Sequence, residues 1–392
     1  MLTLDPEYGG PAEGVRRLVE AWRADGHVAD VVTLDDPEAP YIRADNEGVF
    51  ALGKRGGPDA RTGPQPFLRR FSYSPLMVPW LRENRKRYDG VLVHSLWNYS
   101  TLAARRVLVG SDTPYFVFPH GSLDPWFRSA YPHKHFVKSF VWPFNEGVLM
   151  RNATAVMFTT EEERVLAQDI FLPYKVNPAI VGFGSRDAEG DPEQTVRAFR
   201  AAVPALGERP FLLFLSRIHA KKGCDLLIKA FAGIAAERPE LDLVMAGPDQ
   251  DGWQARLQDL AASLGIADRI HWTGMIEHDV KWGAFRACDA FALISHSENF
   301  GIVVAEALAC ERPVLITDKV NLWREVKEDG AALIGTDTQE SADALLREFV
   351  ALAPETRAAM GKAARRCFEQ RFRIGAAAQT IVKTMQDYGA GK

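Results

Sequence analysis

The amino-acid sequence has 392 residues, of which 47% are hydrophobic and 25% charged, and this balance excludes the disordered and fibrous classes of protein. A chain of this length exceeds what one hydrophobic core usually supports, so it predicts two domains. The formal net charge of -4 argues against nucleic acid as the main partner, because phosphate binding normally needs a basic surplus.

The cysteines and the apolar runs indicate where the protein works. The four cysteines form no C-x-x-C pair and have no histidine spacing that suits zinc, so we predict reduced core thiols in a cytoplasmic protein. No apolar run approaches the roughly 18 residues that predict a membrane-spanning helix. The N-terminus lacks the basic and apolar stretches of a secretory signal, so we expect a soluble or peripheral protein.

The first half of the chain alternates short apolar runs with helical patterns, less regularly than the second half. A doubly wound domain normally begins with an apolar strand, but residues 1–4 leave only a stub, which predicts a clipped first strand or a misassigned start. Thr160 followed by Glu163 predicts a capping box that opens a helix. The predicted strands of this half are residues 29–33, 49–52, 90–94, 115–118 and 155–158.

From about residue 211 onward, apolar strand-like runs alternate regularly with amphipathic segments. Strands that are apolar on both faces and separated by helices predict a parallel sheet covered on both sides, the doubly wound α/β architecture. Such a sheet binds its ligand beyond the carboxyl ends of its strands. Residues 182–192, rich in glycine and acidic residues, are predicted to link the two halves. The predicted strands are 211–215, 241–246, 290–294 and 313–317, and the predicted helices are 225–237, 252–264 and 302–310.

Two glutamates in the segment 297–309 form the sharpest candidate site. A loop leaves the strand ending at residue 294, and a helix begins near Gly301, so backbone N–H groups there are available to an anion. Glu298 projects from the loop and Glu306 follows one to two turns into the helix. Carboxylates accept hydrogen bonds from the paired hydroxyls of sugars and ribose. The spacing alone is typical of a solvated helix face, and it is the strand–loop–helix–strand context that favours ligand binding.

A basic segment follows the first strand of the second half and precedes a helix. Arg217 and one of Lys221 or Lys222 have the charge and the position to neutralise a diphosphate as it departs, when negative charge develops. The alternative is a basic surface turn. The position of this basic segment at the head of a doubly wound domain favours phosphate binding over a surface turn.

Two weaker candidates lie in the first half. Gly9 and Gly10 precede a predicted helix at 12–25, where backbone amides can bind a phosphate, although a plain turn explains them equally well. His120 follows a predicted strand, at the end where such folds place ligand contacts. A lone histidine is more often structural, and His94, at the end of another strand, has a weaker case still.

Together these segments resemble family 4 glycosyltransferases, the large "group 1" family with the GT-B fold, in which two Rossmann-like, doubly wound α/β domains face a central cleft. The resemblance runs over essentially the whole chain and is tightest over residues 211–326. The family's E-x7-E signature falls on Glu298 and Glu306, its cation pair on Arg217 and Lys222, and its glycine loop on Gly9 and Gly10.

The resemblance implies a hexosyltransferase type of enzyme that moves a sugar from a nucleoside diphosphate sugar with retention of anomeric configuration, and needs no metal or cofactor. In agreement, neither basic segment offers a D-x-D-type carboxylate pair for a metal. Glu306 would bind the ribose hydroxyls, and Glu298 with the amides of residues 300–302 would bind the donor sugar. The implied catalytic residues are Arg217, Lys222, Glu298 and His120, and the implied donor-binding residues are Glu306, Phe300, Gly301, Ile302, Gly9, Gly10, Gly247, Thr273, Gly274 and Met275.

Further expectations come from the same resemblance. Residues 119–123 with Trp126 are similar to members that build exopolysaccharide or lipopolysaccharide, which implies a glycan or lipid-linked acceptor. Residues 321–325 depart from the family, because many members have a glycine-rich turn there before a glutamate. The last segment, 372–388, would be a helix that returns to the first domain. The predicted domains are therefore 1–182 with 372–392, and 183–371.

Two basic aromatic stretches, residues 67–87 and 126–142, suit docking on anionic lipid, which would bring the protein to the inner face of the plasma membrane. An ordinary helix with one core face and one charged face has the same pattern.

Two other functions compete with a glycosyltransferase. A nucleotide-sugar 2-epimerase shares the fold but lacks the cation segment before Gly223, so Arg217 and Lys222 speak against it. A catalytically weak or inactive sugar-nucleotide-binding homologue fits the short first strand. The sequence leaves the donor base, the sugar and the acceptor open.

Overall fold

The computed structural model describes residues 1–5, 10–43, 47–54, 71–249 and 252–389. The chain divides into two compact units. The first unit contains Met1–Phe183 and Ile374–Lys392, and the second contains Gly184–Arg373.

The strands of the first unit form two parallel sheets. In one, β1 (Val31–Thr33) pairs with β2 (Val49–Ala51). The other has the order β3-β4-β5-β6, with every neighbouring pair parallel. Its strands are β3 (Val91–His94), β4 (Tyr115–Phe118), β5 (Ala155–Phe158) and β6 (Pro178–Ile180).

The predicted strands of the first unit are confirmed with small shifts at their ends. Strands β4 and β5 are buried along their whole length, as continuous apolar runs predict for a sheet covered on both faces. Strand β6 was not predicted. Of its three residues only Ala179 is buried, and it begins with Pro178, so neither an apolar run nor an alternating pattern marks it.

Residues 1–5, the described residues before α1, do not form a strand. Residues 1–4 lie beside the end of β1, where Leu34 donates its N–H to the carbonyl of Leu2 at 2.9 Å. The helices of this unit are α1 (Gly10–Ala24), α2 (Pro40–Arg43), α3 (Met77–Asn84), α4 (Tyr99–Leu108), α5 (Trp126–Ala130), α6 (Pro132–Val141), α7 (Glu146–Asn152) and α8 (Glu161–Leu166).

The predicted capping box at α8 is half right. The Thr160 side chain accepts the N–H of Glu163 at 3.1 Å, as a cap does. The Glu163 carboxylate, however, accepts the N–H and hydroxyl of Thr159, both at 2.8 Å, and the N–H of Gly121 at 2.7 Å. The Glu163 carboxylate therefore also binds the turn after β4. This turn is distant in sequence but close in space, because β4 and β5 are neighbours in the sheet.

The second unit is built on one six-stranded parallel sheet in the order β12-β11-β10-β7-β8-β9. The strand order reverses between β7 and β10, so this sheet has the doubly wound topology that the sequence predicts. Its strands are β7 (Phe211–Leu215), β8 (Asp242–Ala246), β9 (Ile270–Gly274), β10 (Ala290–Leu293), β11 (Val314–Thr317) and β12 (Ala332–Gly335).

The helices of the second unit separate these strands. The predicted helices lie at α10, α11 and α13, and each differs from its predicted bounds by one or two residues. Strands β9 and β12 were not predicted, because they are the edge strands and most of their residues are only partly buried. The helices are α9 (Pro192–Ala202), α10 (Cys224–Ala235), α11 (Trp253–Ser263), α12 (His278–Ala287), α13 (Ile302–Ala309), α14 (Trp323–Glu328), α15 (Gln339–Ala351) and α16 (Pro354–Cys367).

The last helix, α17 (Ile374–Gly389), belongs to the first unit. It packs on α1, where the indole of Trp22 donates to the carbonyl of Ala378 at 2.9 Å. Ala377, Ala378 and Ile381 are its buried residues. No helix within the described ranges is long and apolar enough to cross a bilayer.

Candidate active site

The candidate site of the second unit lies where the strand order of its sheet reverses. Strands β7 and β10 are neighbours there, and the chain leaves each of them in the opposite direction along the sheet. The basic segment containing Arg217 follows β7, and the loop containing Glu298 follows β10. Two segments that are distant in sequence therefore meet at the edge where doubly wound sheets bind ligands.

The basic segment is a short turn held against the end of β10. His219 caps the turn, since its Nδ1 accepts the N–H of Lys221 at 3.0 Å. Gly223 has φ 60°, and a Cβ at this position would lie 1.8 Å from the carbonyl oxygen of Ile294. Only glycine permits this close approach, so the turn and the loop after β10 are packed together.

Lys222 and Glu298 form an ion pair at this edge. Lys222 is buried and Glu298 is mostly buried. Burial works to raise the pKa of Glu298, but the charge and hydrogen bond of Lys222 outweigh it, with smaller contributions from Lys221 and Arg217, and the pKa is below its ordinary value. The carboxylate is therefore ionised in a cationic environment, and Arg217 itself is exposed.

The backbone of Glu298 is held from both directions. Its N–H donates to the carbonyl of Lys319 at 2.8 Å, and its carbonyl accepts the N–H of Asn321 at 3.0 Å. Asn321 opens the segment in which this chain departs from the family pattern, and it is buried. The departing segment thus supports the loop of Glu298 through its backbone.

Glu306 forms a second ion pair, with a lysine that the sequence interpretation missed. Its side chain is 1% exposed, and its Oε1 lies 2.6 Å from the Nζ of Lys281 on α12. Lys281 belongs to no recognisable motif, and helix 278–287 has no residue pattern that distinguishes this lysine from a surface one. Only the packing of α12 beside α13 reveals the pair.

Helix α13 begins at Ile302, as predicted, with Gly301 as its N-cap at φ 72°. The Phe300 side chain is buried, and its ring contacts the edge of Phe372 with the centroids 5.7 Å apart. Phe300 therefore packs in the core, and only the backbone amides of this turn are suited to a ligand.

The predicted base-binding residues lie at the ends of β8 and β9. Gly247 donates its N–H to the carbonyl of Gly274 at 2.7 Å, which joins the two strand ends. The Thr273 hydroxyl donates to the same carbonyl at 2.9 Å, and Met275 is 54% exposed. Next to Gly247, the carbonyl of Pro248 accepts the N–H of Ile218 at 2.9 Å, so these residues adjoin the basic segment.

We call Lys222, Glu298, Lys281 and Glu306 the charged pairs. They lie in the second unit, whereas Gly10 and His120 lie in the first. Gly10 is the first residue of α1. Gly9 lies outside the described residues.

His120 makes a contact that its sequence position does not indicate. Its Nε2 lies 2.8 Å from the Nδ1 of His94, the histidine with the weaker case in the sequence. Burial lowers the pKa of His120 to about 4. Burial, and then His120, lower the pKa of His94 well below its ordinary value. We call these two residues the histidine pair, and both are neutral near pH 7.

Two α/β units built on parallel strands, the second with charged residues at the switch point of its sheet, define the GT-B class of proteins. Residues 196–367 match the model of glycosyl transferases group 1, and residues 9–179 match that of the glycosyl transferase 4-like domain. The chain belongs to the group 1, or family 4, glycosyltransferases.

Individual relatives differ in how much of the chain they share. The D-inositol 3-phosphate glycosyltransferase of Saccharomonospora viridis is 36% identical over 184 residues, 45% of this chain and 42% of the relative, so this match spans less than half of that protein. The alpha-D-kanosaminyltransferase of Streptomyces kanamyceticus is 28% identical over 396 residues, 96% of this chain and 99% of the relative.

A solved structure of similar fold is that of Anabaena HepE in complex with UDP and glucose. It aligns with a TM-score of 0.76 and 17% identity, over 99% of this chain and 98% of that chain. The similarity extends over both units and concerns the fold.

Proposed function

We propose that this protein transfers a sugar from a nucleoside diphosphate sugar to a glycan or lipid-linked acceptor, with retention of anomeric configuration and without a divalent metal. The observation on which the proposal depends is the pair of Lys222 and Glu298 at the switch point, next to Arg217. Cations there stabilise the negative charge that develops on a departing diphosphate. HepE, which has the same fold, was crystallised with UDP and glucose, in support of a donor of this class.

The proposed roles divide the site along the donor. Lys222 and Arg217 bind the diphosphate, and Glu298 with the backbone amides at 300–302 binds the sugar. Glu306 accepts hydrogen bonds from the hydroxyls of the ribose. Lys281 holds the Glu306 carboxylate in place when no donor is bound. Gly247 and the end of β9 at 273–275 line the position of the base. Gly9 and Gly10 contribute amides, and His120 contacts the sugar.

Metal independence is proposed from the cations of the basic segment. The positive charge that a diphosphate requires is available from Arg217, Lys221 and Lys222.

The proposed setting is cell-surface polysaccharide synthesis in the cytoplasm. It is supported by the likeness of residues 119–123 to exopolysaccharide and lipopolysaccharide enzymes. The cytoplasmic location is supported by the four cysteines of the protein, which are buried free thiols, as is usual in a reducing compartment. Among the relatives, one is named for D-inositol 3-phosphate and the other for the kanosaminyl group that it transfers.

Donor hydrolysis tests the function. The protein should slowly release nucleoside diphosphate from one of the UDP-, GDP- or ADP-sugars, and Glu298→Ala and Arg217→Ala should each abolish this release. Arg197→Ala and Glu355→Ala are matched controls, since both side chains are exposed in the same unit, and they should keep wild-type rates. Donor binding without any turnover would instead identify an inactive sugar-nucleotide-binding homologue.

We further propose that α6 contacts an anionic membrane surface. None of its residues is buried, and its Phe136 and Phe140 are 77% and 73% exposed. Phe144, three residues beyond its end, is 64% exposed. Lys134 is also exposed on this helix. Exposed aromatic and basic side chains on one short helix suit the interface of an anionic bilayer.

The other basic aromatic stretch offers less support for membrane contact. Residues 67–70 lie outside the described residues, and in α3 both Met77 and Leu81 are buried, as in an ordinary helix with a core face. Cosedimentation with anionic vesicles should therefore fall in Phe136→Ser/Phe140→Ser and stay unchanged in Arg82→Ser. Equal binding to neutral and anionic vesicles would refute this contact.

A further inference from the structure

The histidine pair lies at the end of two neighbouring strands. Strands β3 and β4 are parallel, with His94 in register with Phe118, and the N–H of Ser95 donates to the carbonyl of Phe118 at 2.8 Å. His120 follows two residues later, with φ 49°. This left-handed residue turns the chain sharply after β4, which brings the imidazole back toward His94.

Aromatic neighbours hold both imidazole rings in place. The two histidine rings are near-parallel, with an angle of 17° between their planes. The Phe118 ring is within 4° of parallel to His94 and within 14° of parallel to His120. The edge of Phe183 meets His120 with centroids 5.6 Å apart. Rotation of either ring would disrupt this packing, so the two ring nitrogens are held facing each other.

The turn of His120 is also held by Glu163, on the helix α8 that follows β5. Gly121 donates its N–H to the carboxylate of Glu163 at 2.7 Å, and the same carboxylate accepts the N–H of Thr159, next to β5. Glu163 is buried. The backbone that carries His120 is therefore anchored by a charge-assisted hydrogen bond, independently of the ring contact.

The contact between the rings couples their protonation. A neutral imidazole has one N–H and one lone pair, so a separation of 2.8 Å between the His94 Nδ1 and the His120 Nε2 requires one proton between them. If His94 has its proton on Nε2, His120 must donate from Nε2 and its Nδ1 has a lone pair. If His94 donates from Nδ1, the Nδ1 of His120 is protonated. The tautomer of one ring thus determines that of the other.

We propose that His94 is a positioning residue, which sets the tautomer and ring plane of His120 so that its remaining nitrogen, Nδ1, meets the donor sugar with one defined hydrogen-bonding character. The inference rests on the proposed function, in which His120 contacts the sugar. It gives a role to a histidine that touches no substrate, and the tautomer of a ligand-binding imidazole is commonly set by the partner of its other nitrogen.

Kinetics of two His94 variants test the role. His94→Phe keeps a ring beside Phe118 but removes the hydrogen bond, and should lower kcat about 10- to 100-fold, the usual cost of losing a partner that orients a functional imidazole, with the donor KM within about twofold. His94→Asn places an amide near the former Nδ1 and should recover most of kcat. In a His120→Ala background, His94→Phe should have no further effect. Equal losses of kcat in His94→Phe and His94→Asn would overturn the proposal. So would the same loss of kcat from His94→Phe in the His120→Ala background.

A spectroscopic measurement separates the pairing from the activity. Nitrogen-15 NMR of the histidine-labelled protein should show one protonated nitrogen on each ring and a coupling between His94 Nδ1 and His120 Nε2. In His94→Phe, His120 should become a mixture of tautomers. A mixture already present in the wild type would overturn the proposal even if the enzyme is active. An intact coupling in a protein that turns over no donor would refute the proposed function and not the pairing.

Discussion

The Lys222–Glu298 pair and the histidine pair both lie beyond the carboxyl ends of neighbouring parallel strands, yet their electrostatics are opposite. In the second unit, the Glu298 carboxylate stays ionised because Lys222 contacts it and lowers its pKa. In the first unit, burial without a countercharge keeps both imidazoles neutral. The same kind of strand edge therefore provides fixed charge in one unit and directed neutral hydrogen bonds in the other, according to which residues end the strands.

The largest expected effect comes from breaking one charged pair. Lys222→Met leaves the Glu298 carboxylate mostly buried without its partner, which should cost about 3 kcal/mol of the free energy of unfolding and lower donor turnover by at least about 100-fold. Chemical denaturation and donor hydrolysis measure the two effects.

A double variant separates stability from function at this pair. Lys222→Met/Glu298→Gln should regain most of the lost stability, because no uncompensated charge is left, but none of the turnover. A single variant Lys222→Met that is as stable as the wild type would show that the pair does not matter in the folded protein.

The histidine pair should make stability depend on pH. As the pH falls through about 6.5, an unfolded histidine takes up a proton, whereas folded His120 does so only near pH 4. Stability is therefore complete above about pH 7 and falls between pH 6.5 and 4, by on the order of 2 kcal/mol at pH 5 for His120, and His94 adds to the loss in the same direction.

The control for this pH dependence removes both imidazoles. Denaturation curves of His94→Phe/His120→Phe should lose the slope between pH 6.5 and 5. The pKa of Glu298 is lowered, so its contribution should decline only below the ordinary glutamate value of 4.5. A wild-type protein equally stable at pH 7.5 and 5 would contradict the expected neutrality of the pair.

A smaller effect is expected at the second charged pair. Glu306→Gln replaces the proposed partner of the ribose hydroxyls and should raise the donor KM about 10- to 100-fold, the worth of a hydrogen bond to a charged group. The kcat should change by less than about threefold, since the contact is the same before and during transfer. Glu355→Gln, an exposed position, is the matched control, and an unchanged KM would remove Glu306 from the donor site.

The smallest effect is expected at Met275. Its side chain is half-exposed in the structure, so the contact with a nucleotide base buries only part of it. Met275→Ala should raise the donor KM about fivefold, near 1 kcal/mol, in a titration with the donor that the wild type hydrolyses. Leu264→Ala, which truncates another partly exposed apolar residue of the same unit, should leave the KM unchanged.

Much of the architecture follows from local pattern. The continuous apolar runs of β7, β8, β10 and β11 predicted a buried parallel sheet, and Gly301 marked the start of α13. The strands that escaped prediction, β6, β9 and β12, lie at sheet edges and have at most one buried residue each. Edge strands need fewer apolar residues, so a reading based on hydrophobic pattern misses them.

The sequence alone determined which residue types end the strands and begin the helices, because apolar periodicity and glycine placement are local properties. Tertiary structure decided which of these residues meet. Lys222 reaches Glu298 across 76 residues, Lys281 reaches Glu306 across 25, and His94 reaches His120 across 26. These pairs depend on the order of strands within a sheet and on how the helices pack, which no spacing along the chain specifies. They also lower the pKa of Glu298 and of both histidines, since partners and burial, rather than residue type, shift a pKa.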